Sequence, residues 1–131
     1  MKHMRLTLTL PSALLLTFHL SAQWTPLSSG MMSNRSLCAD EGDLYCATYT
    51  NGVKKSEGGT GPFTAVNNGL PSVGGIIYAQ SVGSDGAYIY AGTESGIYRS
   101  SDGGANWDNI NGSLTANTTV YANKFFAIGS E

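Results

Sequence analysis

The chain has 131 residues, with seven Lys or Arg against nine Asp or Glu and a formal net charge of −2. That balance excludes the basic footprint by which proteins hold nucleic acid or an anionic membrane surface. Seventeen glycines, abundant Asn, Ser and Thr, and 12% charged residues point to frequent turns and few helices.

At the N-terminus, Lys2, His3 and Arg5 form a short basic head. Leu6 to Leu20 is an apolar stretch interrupted by Thr, Pro and His, and Leu20-Ser21-Ala22 offers small residues for cleavage. This is the layout of a secretory signal-peptide helix over residues 1–22, removed near Ala22. Composition changes at the same point: seven of the twelve leucines and none of the seventeen glycines lie in residues 1–22. A membrane span needs roughly 20 apolar residues, so no span is expected once the signal is cleaved. A secreted, periplasmic or cell-surface location is expected. Residues 23–131 carry five Lys or Arg and nine Asp or Glu, a net −4. In an exported chain Cys38 and Cys46 can form a disulfide or remain two reduced thiols, and the sequence leaves both open.

The same residues contain a repeat. "LCAD" at 37–40, "VGSD" at 82–85 and "IGSE" at 128–131 are spaced 45 and 46 residues apart. "LYCATYTNGVKKSEGG" (44–59) aligns with "IYAGTESGIYRSSDGG" (89–104) at an offset of 45. A third block occurs as "WTPLSSGM" (24–31), "FTAVNNGL" (63–70) and "WDNINGSL" (107–114), each with an aromatic, an aliphatic and a Gly. Each unit reads as four short strands. The first ends at Leu37 or Val82, before the turns Asp40-Glu41-Gly42 and Ser84-Asp85-Gly86. The second is "DLYCATY" or "AYIYAGT", alternating and rich in β-formers. Turns with positive φ at Gly52 and Gly96 lead to "VKKS" or "IYRS", and a fourth strand starts at Phe63 or Trp107. Four strands in about 45 residues, repeated, is the pattern of a β-propeller blade.

Between the third and fourth strands lies Ser100-Ser101-Asp102-Gly103-Gly104-Ala105-Asn106-Trp107. It resembles the Asp-box, or BNR repeat, S-x-D-x-G-x-T-W, matching at Ser100, Asp102, Gly104 and Trp107, with Asn106 in place of Thr. A degenerate copy precedes it: Ser56 beside Glu57, then Gly58, Gly59, and Phe63 for the Trp. Turn chemistry accounts for the motif. Asp102 can accept backbone N–H groups, the glycines admit unusual backbone angles, and Trp107 can cover the turn with a large ring. One Asp supplies too few oxygens for a calcium loop, so no metal or cofactor is expected.

The resemblance is to sialidase-like and sortilin-like propellers. It implies an all-β, partial propeller of four-stranded antiparallel blades over residues 23–131, about two full blades plus edge strands. Its units are about 31–74 and 75–117, with a third begun at 118–131. Propellers have about four to eight blades, so the chain is expected to be a piece of a longer protein, or less readily an oligomer of short chains. Catalytic equipment is sparse. Residues 23–131 hold no His and two arginines, Arg35 and Arg99. Asp40 and Asp85 are equivalent by repeat and fall in turns, and the tyrosines alternate as packing residues. Asn34, Asn111 and Asn117 each begin an N-x-Ser/Thr sequon. The expectation is an exported scaffold or binding segment, with extracellular protein or carbohydrate as partner. One alternative is the start of a glycoside hydrolase, sialidase-like or xyloglucanase-like, with catalytic residues in other blades. Another is an assembly protein like the photosystem stability propellers.

Overall fold

The computed structural model describes residues 33–115 and 122–126. The expected signal peptide, the Trp24 to Met31 block and most of the third unit fall outside the described residues. What is described is all-β. The first sheet is β1 (Asn34–Asp40), β2 (Asp43–Thr48), β3 (Gly52–Ser56) and β4 (Thr64–Ala65), antiparallel and in chain order. The second is β5 (Ala79–Ser84), β6 (Ile89–Thr93), β7 (Gly96–Ser100) and β8 (Asp108–Asn109), in the same order. Short 3₁₀ turns at Glu57–Gly59 and Gly112–Thr115 complete the regular structure. No helix among the described residues is long and apolar enough to cross a membrane.

The two sheets match in register. Leu37 pairs with Cys46 and Val82 with Ala91, and both first strands bulge at the same place, after Asn34 and after Ala79. Gly52 (φ 69°) and Gly96 (φ 120°) close the β2–β3 and β6–β7 turns with the positive φ expected of them. Those turns differ in length. Thr48 pairs with Gly52, but Thr93 pairs with Gly96. The offset between the sheets is therefore 45 residues through β2 and 44 from β3 onward (Ser56 and Ser100 close the same ladder position). An unbroken offset of 45 is corrected by this one-residue deletion. β1 and β5 also run beyond Leu37 and Val82, to Asp40 and Ser84, and the fourth strands are only two residues each.

Side chains alternate across a strand, so register assigns faces. One face of the first sheet presents Ser36, Cys38, Tyr45, Ala47, Val53 and Val66. It packs on Val82, Ile89, Ala91, Tyr98 and Trp107 of the second sheet, and Leu70 and Ala79 close the core. Ala47, Val53, Ala79 and Ala91 are fully buried, and Ile89 is nearly so. Burying a side chain the size of Val53 or Ile89 contributes about 1.5–3 kcal/mol. This shared layer is the main adhesive between the sheets. Small residues at its centre let the first strands run close together: the Ser36 hydroxyl donates to the Val82 carbonyl at 3.1 Å.

The two cysteines are free. Cys38 lies opposite Tyr45, whereas Cys46 lies opposite Leu37, one step along the ladder. Neighbouring positions point to opposite faces, so the two sulfurs are separated by the sheet itself. Of the two states the sequence left open, this geometry corresponds to the reduced pair.

Candidate functional site

The turn from Ser100 to Trp107 is closed by its own side chains. Ser100, buried at the end of β7, accepts the Gly104 N–H at 2.8 Å and donates to Asp102 Oδ1 at 2.8 Å. Asp102 then receives the Asn106 backbone N–H on Oδ1 and the Asn106 side-chain amide on Oδ2, both at 2.8 Å. Asn106 thus supplies two donors to the one carboxylate, its backbone N–H and its side-chain amide. These bonds favour the carboxylate, with the Asn106 amide leading, and pull its pKa down to about 2. Gly103 (φ 67°) and Gly104 (φ 91°) take backbone angles that strain other residues.

Trp107 is 4% exposed. Its ring belongs to the layer between the sheets and does more than cover its own turn. The indole Nε1–H donates to the Val66 carbonyl at 2.7 Å, and the Trp107 backbone N–H donates to the Asn68 carbonyl at 2.9 Å. Gly69 (φ 92°) makes this approach possible, since a Cβ there would stand 2.3 Å from the Trp107 carbonyl oxygen. From the other side the Tyr45 hydroxyl donates to the Gly103 carbonyl at 3.1 Å. The Ser100–Trp107 turn of the second sheet is therefore fastened to the first unit by three hydrogen bonds, two at Trp107 and one at Gly103.

The equivalent turn of the first sheet, from Ser56 to Phe63, is built differently. Register places Ser56 opposite the role of Ser100 and puts Gly58, not Glu57, where Asp102 stands. Glu57 is exposed. Ser56 donates to the Gly61 carbonyl at 2.8 Å. The carboxylate comes from another strand: Asp43 Oδ1 accepts the Gly58 N–H at 2.8 Å, and Oδ2 pairs with Lys55 at 2.8 Å. The Lys55 hydrogen bond leads in holding Asp43 below the usual carboxylate range, and Lys55 is raised in turn. Phe63 stands at the Trp107 position, half-buried and with no indole donor.

A second fastening was not singled out in the sequence. Asn67 Oδ1 accepts the Val53 N–H at 2.8 Å, and Asn111 Oδ1 accepts the Ile97 N–H at 2.6 Å. Beneath them Thr48 and Thr93 donate to the Gly52 and Gly96 carbonyls at 2.8 and 2.9 Å. The signal was present as Thr-x₂₋₃-Gly and an Asn fourteen residues after the acceptor's partner, but a shifting offset hides it.

Between the sheets, at the end that carries the box, lies a polar cleft of about 370 Å³. Asp40, Glu41, Asp43, Tyr45, Lys55, Tyr88 and the 101–103 backbone line it. Its polar groups are mostly engaged: Asp40 accepts the Ser84 hydroxyl, and Tyr45 and Lys55 are bonded as above. Burial raises the Tyr45 hydroxyl pKa. Asp85, just beyond the cleft, accepts the Tyr90 hydroxyl at 2.7 Å and the Ala87 and Tyr88 N–H groups. Those bonds, Tyr90 first, also hold it low. Asp43, Asp85 and Asp102 are thus biased toward the ionised form, opposite to what a general acid needs at neutral pH. Arg35 stacks on Tyr49 at 4.6 Å and Arg99 on Tyr88 at 4.3 Å, so the two guanidiniums are held on separate sheets. Among the described residues no three His, Cys, Asp or Glu side chains gather to hold a metal. Of the sequons, Asn34 is exposed, Asn111 is 2% exposed with its amide engaged, and Asn117 lies outside the described residues.

Compared with known proteins, the chain matches no protein-family model, no curated protein and no solved structure.

Proposed function

We propose that this chain is an exported Asp-box β-propeller segment whose role is to scaffold or bind, without chemistry of its own. One observation carries the reading. Ser100, Asp102, Asn106 and Trp107 spend their polar groups on the turn and on the neighbouring sheet, as a structural staple does. The most functional-looking motif in the sequence is thereby accounted for by architecture. The secretion signal read at residues 1–22 and the acidic balance of the rest favour an extracellular partner, and the motif resemblance favours protein or carbohydrate. Tyr88 and the cleft's backbone and carboxylate oxygens supply the polar, partly aromatic surface that such ligands use.

The test is to incubate the secreted chain with a panel of extracellular polysaccharides and sialylated glycans, scoring retention and sugar release separately. Retention without release is expected. Release of sugar by the purified chain would overturn the reading in favour of a glycoside hydrolase.

A further inference from the structure

The layer between the two sheets uses one face of each, and register identifies the opposite faces, on which Cys46 of the first sheet and Ser81, Gly83 and Gly92 of the second are themselves buried. The outward face of the second sheet presents Ser81, Gly83, Tyr90, Gly92, Ile97 and Ile110. These stand at the positions of Ser36, Cys38, Tyr45, Ala47, Val53 and Val66, the residues that receive the second sheet inside the molecule. Tyr90, Ile97, Ile110, Phe125 and Phe126 surround a hollow of about 360 Å³ there, and Ile110 is 38% exposed. The outward face of the first sheet presents Leu37, Ala39, Leu44, Cys46 and Phe63, at the positions of Val82, Ser84, Ile89, Ala91 and Trp107. Leu37 is 56% exposed. Each outward face therefore repeats, position for position, much of one half of the interface already formed within the chain, with Lys54 standing where Tyr98 packs in the core.

We propose that copies of this chain associate head to tail, the first sheet of one copy docking on the second sheet of the next. A contact between unlike faces repeats along the assembly and yields a ring where the rotation closes or an open chain where it does not. The contact makes fewer hydrogen bonds than the internal one, because Phe63 and Ala39 lack the indole N–H and hydroxyl that Trp107 and Ser84 use inside the molecule. Lys54 is the one charged strand residue on the docking face of the first sheet; the receiving face carries Arg99 and Asp108 in its strands, and Asp85 lines its hollow. Residues 122–126 lie across part of that hollow. The Ala122 carbonyl accepts the Ser81 hydroxyl, and Phe125 packs on Tyr90 with ring centroids 5.9 Å apart. This strip holds the place that β5 holds on the first sheet, and β1 of the incoming copy displaces it.

The experiment is sedimentation velocity on the secreted chain across the micromolar range, with L37D and I110D made in the same background. Both sites are exposed enough to take a charge without unfolding, and unchanged far-UV circular dichroism checks that. Wild type is expected to form assemblies that grow with concentration, and each variant alone to sediment as a monomer. An equimolar mixture of the two variants retains one intact interface and stops at a dimer. F125S, which loosens the covering strip, moves wild-type assembly to several-fold lower concentration. A wild-type chain that stays monomeric throughout, or a mixture that forms no dimer, overturns the proposal. A monomeric chain that still retains polysaccharide would sink this assembly alone and leave the binding role standing.

Discussion

Replacing Trp107 by Phe removes the indole donor while keeping an aromatic ring at the centre of the sheet–sheet layer. The Val66 carbonyl loses a 2.7 Å hydrogen bond in a site where Trp107 is only 4% exposed. Stranding a buried acceptor costs about 1–3 kcal/mol. The smaller ring leaves a void of roughly 40 Å³, which adds about 1 kcal/mol at ~24 cal/mol per Å³. The sum is about 2–4 kcal/mol, or a fall in Tm of roughly 10–25 °C for a domain of this size. Urea unfolding followed by far-UV circular dichroism reads it directly. A change within about 0.5 kcal/mol, typical of a surface site, would refute the placement of this ring between the sheets.

Asn111→Ala strips the acceptor from the Ile97 N–H, and Asn67→Ala does the same to Val53. Each should destabilise by about 1–3 kcal/mol in denaturant titration. Gly69→Ala forces a Cβ against the Trp107 carbonyl at positive φ and should lower stability by more than the few tenths typical of exposed positions. For pH, the Asp102 pKa is depressed from 3.8 to about 2. Its contribution is present above the unfolded value and is lost as pH falls from about 4 toward 2. Unfolding midpoints of Asp102→Asn should therefore be less acid-sensitive across that window than those of wild type. The Cys38 thiol, raised to about 11 by burial and then by Asp40, and the buried Cys46 should alkylate slowly until denaturant is added. Rapid modification of Cys46 in the native state would contradict its burial.

Much of the fold was legible because its signals are local. Alternation in "DLYCATY" and "AYIYAGT", glycine turns at Gly52 and Gly96, and the aromatics Phe63 and Trp107 each belong to a few adjacent residues, although the fourth strands start one residue past those aromatics, at Thr64 and Asp108. The deletion in the β6–β7 turn was illegible for a simple reason. Gly58-Gly59 and Gly103-Gly104 align when the offset is held at 45, and only pairing shows that Ser56 and Ser100 are the true partners. The fate of Cys38 and Cys46 likewise depended on register parity, which spacing does not reveal. The box itself was readable as a turn. Its role as a tether between sheets was not, because the acceptors Val66 and Asn68 lie 41 and 39 residues earlier in the chain. Asp43 supplying a carboxylate to the Gly58 N–H from a different strand is the same kind of long-range contact.

Stacking of the two sheets through the box tryptophan is what every functional statement above requires. Solution NMR on the isotope-labelled chain observes it through the Trp107 indole proton. A slowly exchanging indole N–H with Overhauser contacts to Val66 and Leu70 is the predicted result; a solvent-exchanging indole with contacts only inside residues 100–109 would contradict it.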